Sequence, residues 1–119
     1  RLKNYQDDIK ALINCITNIY NYDIYFSIDN VLINQNEKIL QNIINIIQER
    51  KIYILEKESV IKITENIQLI GKIVIYPIVI NSDLLGSIII VGKDKIENLL
   101  NISRLINNII KNMILNIVN

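Results

Sequence analysis

Histidine is absent from the 119 residues, and the chain has a single cysteine, a single proline and three glycines. Without histidine, no Ser–His or Cys–His nucleophile pair and no His-rich metal site can form. The lone thiol, Cys15, excludes an internal disulfide, which is the cysteine usage of a reducing compartment. Three scattered glycines leave no Gly-rich loop to cradle a phosphate. Charge of one sign is missing too. The net charge is +1, with no basic tract or acidic tail, so the clustered cationic face of a nucleic-acid binder is not there. The longest apolar runs are broken at Pro77 and Asn81 and reach about half the ~20 residues of a membrane-spanning helix. No secretory signal opens the chain. It starts on Arg1 rather than methionine, as expected of a piece of a longer cytosolic protein. No cofactor, no metal, no membrane and no direct nucleic-acid contact are expected.

What the chain has is isoleucine, which fills about a quarter of it, within a hydrophobic share of 50%. At this length a single domain over 1–119 is expected. The abundance of Ile, Asn and Lys matches AT-rich coding and carries no function of its own. The most informative stretch runs from Gly71 to Ile80, then through the turn Asn81-Ser82-Asp83, then from Leu84 to Val91. Both strands are apolar on both faces, so the sheet they form must be covered on both. Pro77 cannot donate a ladder hydrogen bond and predicts a bulge or break near Tyr76-Pro77.

Around that hairpin the pattern changes period. Tyr5, Ile9, Leu12, Ile13, Ile16, Ile19 and Tyr20 follow the three-four spacing of a first helix. Asp23 to Ile28, Asp29-Asn30 and Val31 to Ile33 read as a hairpin. Asn34 and Glu37 are spaced as a capping box for a second helix reaching about Glu49. Ile52 to Leu55 and Val60 to Thr64 read as two short edge strands separated by a Glu56-Lys57-Glu58 turn. Asp94 with Glu97 predicts the start of a long last helix, with Gly92 as the strand stop. Its apolar stripe includes Ile102, Leu105, Ile106, Ile109, Ile110, Met113, Ile114 and Ile117, and Asn107, Asn108, Lys111 and Asn112 form its expected wet side.

The order helix, hairpin, helix, edge strand, central hairpin, long helix is similar to a GAF domain. Tyr76-Pro77-Ile78-Val79-Ile80 leading to Leu85-Gly86-Ser87-Ile88-Ile89 resembles the signature of that superfamily. More narrowly, Gln48-Glu49-Arg50 before Ile52-Tyr53-Ile54-Leu55, the Pro77-Ile78-Val79 strand, Gly86 and Gly92-Lys93-Asp94 look like the C-terminal domains of the stage V sporulation protein T family. The resemblance implies an α+β, GAF-like fold: a central antiparallel sheet of five or six strands, terminal helices on one face and a middle helix on the other. It also implies the regulatory half of a transcription factor, downstream of a DNA-binding part that this chain does not contain, with terminal helices building the oligomer. The link between the first hairpin and the second helix is shorter than the pocket-forming loops of ligand-binding GAF domains.

A small-molecule effector in a GAF-like fold sits between the sheet and the helix after the first hairpin. The polar groups able to line that space are Tyr25, Ser27, Tyr53, Lys62, Tyr76 and Ser87, with core tyrosines as the alternative. A homo-oligomer is expected through the terminal helices, whose surplus apolar residues Tyr5, Ile9, Ile110, Ile114 and Ile117 a second copy would cover. Catalysis is not expected. Cys15 sits beside the helix stripe as a half-buried packing thiol, and the pairs Asp7-Asp8 and Glu56/Glu58 fall at a helix start and a turn. The reading is a non-catalytic sensory and dimerisation domain. A structural oligomerisation module without ligand, and an orphan enzyme, are the alternatives.

Overall fold

The computed structural model describes residues 2–115. A single 3-10 turn, Leu2–Tyr5, runs into α1, Gln6–Ile19. Asp7 and Asp8 occupy its first turn, where the helix dipole favours carboxylates. Ile9, Ile13 and Ile16 turn inward at the expected spacing. Strands β1 (Asp23–Ile28) and β2 (Val31–Leu32) meet at Asp29 and Asn30, whose φ values of 53° and 65° make the tight hairpin turn these two residue types tolerate. After β3 (Glu37–Lys38), α2 (Gln41–Gln48) and β4 (Tyr53–Lys62) comes the long central hairpin of β5 (Gln68–Ile80) and β6 (Asp83–Gly92). Its turn repeats the same solution at Asn81 and Ser82, φ 51° and 69°. The last helix, α3, is Ile96–Leu115.

The six strands form one antiparallel sheet in the order β3-β2-β1-β6-β5-β4. Helices cover both faces, as the doubly apolar hairpin requires. Consecutive β6 residues divide between two cores. Ile88 and Ile90 pack with α1 and α3, joined by Phe26 and Ile78. Ile89 and Val91 pack with α2, joined by Ile73 and Ile75. Each such isoleucine contributes on the order of 1.5–3 kcal/mol on burial, so neither face can be left open. At Gly86 the β1 backbone runs close against β6. A Cβ there would stand 2.3 Å from the Ser27 carbonyl oxygen, a position only glycine can hold.

Five local expectations are corrected. The capping box at Asn34 and Glu37 does not form, and α2 begins seven residues after Asn34, at Gln41. Glu37 instead pairs with Leu32 in the β2–β3 ladder, and its carboxylate accepts from Thr64 Oγ1 (2.9 Å) and Asn66 Nδ2 (3.0 Å). Those tertiary partners outbid the local cap. Residues Glu56-Lys57-Glu58 are not a turn between two strands; they lie inside β4, at the register shift between Leu55 and Ser59. A charged bulge on an edge strand blunts it against pairing with other chains.

The irregularity expected near Tyr76-Pro77 falls further on, between Ile78 and Val79, while Pro77 stays in register with Ser87. β4 starts opposite Ile75, so β5 has a strand neighbour on only one side at Pro77, the setting in which a missing N–H is tolerated. On α3, Asn107 is buried rather than wet. The start of that helix also differs in detail. Asp94 lies two residues before Ile96 and accepts from the Lys95 N–H (2.7 Å) and the Asn98 side chain (2.8 Å), so Asn98 rather than Glu97 completes the clasp.

Candidate functional site

Four of the six sequence-predicted ligand residues share the α2 face, and two do not. Tyr25 and Tyr53 pack half-buried against the α2 core. They end a row across the sheet, Tyr25–Ile89–Ile75–Tyr53, set by the strand registers. Ser27 and Ser87 stand opposite each other one step along. Their hydroxyls lie 2.6 Å apart, both buried, and satisfy each other. Lys62 is exposed on the edge strand, with Nζ 3.4 Å from Glu65. Tyr76 faces the other way, against the core under the terminal helices. The space beneath α2 is filled by Ile43, Ile44 and Ile47. What remains near Ser27, at the C-terminal end of α2, is a pocket of about 140 Å³.

A larger concavity, about 530 Å³, lies elsewhere, where the end of α1, the start of β1 and the link from β6 to α3 converge. None of the six predicted residues lines it. Its wall carries Tyr22, whose hydroxyl donates to Asp94 Oδ2 at 2.7 Å and whose ring stacks parallel to Tyr20 with centroids 6.1 Å apart. Gly92 makes room for that ring: a Cβ there would stand 2.7 Å from it. Burial first, and then the Asp94 carboxylate, push the Tyr22 phenol up to about 12. The Asn98 amide, Tyr22 and the Lys95 N–H draw Asp94 down to about 2. A phenol held neutral against a carboxylate held ionised is a clasp and not a proton-transfer pair, since neither group titrates near neutral pH. It ties the start of α3 to β1. The two partners are 72 residues apart, and no sequence spacing announces them.

The residues expected at a helical interface are placed differently. Ile9, Ile110 and Ile114 are buried within the chain itself, as α1 and α3 contacts to the sheet. They are core, not surplus. Tyr5 is half-buried against the same core, and Ile117 lies outside the described residues. The apolar residues that α3 leaves outward are one flank over. Leu105 is 45% exposed, and Ile109 and Met113 are half-buried. These three recur at i, i+4 and i+8, one ridge of a helix. On α1, Ile19 is 68% exposed. Cys15 is exposed rather than half-buried.

An open antiparallel sheet clad by two long helices on one face and one short helix on the other is an α+β architecture consistent with a GAF-like fold. The family described as stage V sporulation protein T C-terminal, transcription factor, matches over residues 2–114, and the chain belongs to that family. No relative is found among curated proteins. The chain is thus of the kind found as the regulatory C-terminal part of a sporulation transcription factor.

Proposed function

We propose that this domain acts by assembly: two copies pair through their terminal helices, and the pairing geometry sets how an upstream DNA-binding part is presented, in a cytosolic, non-catalytic protein. The observation that carries this is the outward ridge of Leu105, Ile109 and Met113 on α3. A helix whose inward stripe is already buried gains nothing from a second apolar ridge unless another surface covers it. A two-fold pairing is the simplest closure, because it sets the same ridge against itself. The filled space under α2, with Ser27 and Ser87 satisfied by each other, favours assembly over an effector at that face. Any effector that regulates the protein would have to bind the two arrangements with different affinity.

The test is one substitution on that ridge. Leu105→Glu keeps the helical far-ultraviolet spectrum and halves the mass seen by light scattering at micromolar concentration. A wild-type chain that scatters as a monomer would end the reading.

A further inference from the structure

At one end the sheet narrows to a two-stranded arm. β5 pairs with β6 only from Lys72 onward, so Gln68 to Gly71 have their strand neighbour in β4 alone, in Ser59 to Lys62. We propose that this arm is a second self-association surface, on which the arm of another copy stacks face to face across a two-fold axis. It shares no residue with the ridge of Leu105, Ile109 and Met113 and does not depend on helical pairing.

The arm is apolar on both faces and covered on one. Side chains alternate along its strands. On the α2 side, Ile61 packs against the core and Leu69 is buried in it. On the other side Val60 and Ile70 stand directly opposite each other, 65% and 57% exposed. Ile70 also shares a concavity with Ile19 and Tyr20 at the end of α1, both of them exposed. Single apolar residues at a surface are ordinary, whereas a contiguous group marks a place where something docks.

The order of charges selects the occupant. Val60 is flanked by Glu58 at the end of the bulge and by Lys62 two residues on. Each already belongs to an exposed pair: Glu58 with Lys93 at 2.9 Å, and Lys62 with Glu65 at 3.4 Å. A two-fold axis across the arm at Val60 sets Val60 on Val60 and Ile70 on Ile70. It also brings each Lys62 to the second copy's Glu58. The two exposed pairs then join into a row of alternating sign, Glu65, Lys62, Glu58, Lys93. Such a network counts for more than an isolated surface pair. A surface complementary to itself in both apolar and charged positions is what a two-fold contact requires.

The arrangement is also open sterically. The axis runs the two arms in opposite directions, so the two bodies, each with its terminal helices, lie at opposite ends of the stack. Neither α1 nor α3 packs closely on β4, and stacked sheet faces need only about 10 Å between them. The charged bulge at Glu56 to Glu58 guards the edge of β4 against strand addition. It does not obstruct stacking of faces, and it supplies one half of each new ion pair.

The experiment follows mass by sedimentation equilibrium in low-salt buffer from about 10 μM to about 1 mM, the range over which a small, transient contact fills. It uses the 119-residue chain carrying Leu105→Glu and Ile109→Glu, so that the α3 ridge is out of play. This chain should be single at the low end and approach twice the single-chain mass at the high end. Adding Val60→Glu, or separately Ile70→Glu, should keep it single throughout. Both sites are exposed, so the melting transition should stay in place. Lys62→Glu should weaken association about tenfold, because the lost pair occurs twice in a two-fold contact. Adding Glu58→Lys to it should restore most of that loss. A ridge-disabled chain that stays single up to about 1 mM overturns the proposal, as a patch kept for a different protein would behave. Association that Val60→Glu does not move overturns it too, and a charge swap that recovers nothing overturns the antiparallel stacking. Failure of helical pairing reads out separately, as a wild-type chain that is single at micromolar concentration.

Discussion

The two faces of the sheet are finished differently. On one, the eight-residue α2 with the β2–β3 hairpin buries Ile63, Leu69, Ile73 and Ile75, and the serine pair is satisfied. On the other, the two longest helices leave more undone. α1 contacts β1 and α3 contacts β5 and β6, and among the described residues neither helix packs closely on β4. Side chains alternate along a strand, and those of β4 and β5 opposite to Leu55, Ile61 and Leu69 are Ile54, Val60 and Ile70. Val60 is 65% and Ile70 57% exposed, and Ile54 is exposed as well. Asn107 is unsatisfied on this face. Coverage depends on where a helix lies across the strands, not on its length. The face with the longer helices is the one with surface left over, and the proposed helical pairing would draw on it.

The comparison breaks most readily on α3 itself. Ile110→Glu places a charge with no partner in a site that is fully buried and is expected to cost more than about 4 kcal/mol. The chain should lose its cooperative melting transition, whereas Leu105→Glu, about a turn and a half away, should keep a cooperative one, lowered only by the loss of pairing. If both variants melt alike, the assignment of one ridge inward and the other outward fails.

Gly86→Ala tests the strand the two faces share. With the Ser27 carbonyl 2.3 Å from the new methyl, β1 and β6 must separate, and a loss of about 2–3 kcal/mol is expected in urea unfolding. On the finished face, Ser27→Ala leaves the Ser87 hydroxyl buried alone and should cost about 1–2 kcal/mol, most of it recovered when Ser87→Ala is added. On the unfinished face the sign reverses. Asn107→Leu removes an orphan polar atom and should raise stability by about 1 kcal/mol. A stabilised serine variant or a destabilised Asn107 variant would erase the difference between the faces.

The smallest effect comes from the clasp at the start of α3. Asp94 is lowered from 3.8 to about 2, so the folded state binds its proton less readily than the unfolded one. Its contribution is present above about pH 4 and is lost as pH falls towards 2. Tyr22 is raised from 10.0 to about 12; its contribution is present below pH 10 and fades as pH climbs towards 12. Tyr22→Phe should flatten the alkaline limb and shrink the acid one, read as melting temperature against pH.

Much of this architecture was legible in the residues. Strong local patterns carried the central hairpin, the first hairpin and the last helix: doubly apolar runs, Asp-Asn and Asn-Ser turns, and a three-four stripe. Where the reading failed, distant partners decided. Glu37 looked like a cap because its spacing from Asn34 is right, yet Thr64 and Asn66 claim its carboxylate from 27 and 29 residues away. Glu56 to Glu58 looked like a turn because charges interrupt an apolar run, but an edge strand tolerates them in a bulge. Ile9, Ile110 and Ile114 looked like surplus because a stripe of isoleucines does not say how much of it the sheet will cover. Asn107 looked wet by composition alone. For the ligand residues, sequence gave residue types but not which side of the strand each faces, and Tyr76 and Lys62 were lost on that point.

The most direct test is the mass of the intact chain in solution. Multi-angle light scattering at micromolar concentration should give twice the mass of one chain for wild type, and the single-chain mass for Leu105→Glu combined with Ile109→Glu, with unchanged circular dichroism. A wild-type chain that stays single across that range, with the ridge of α3 open to water, would contradict the account.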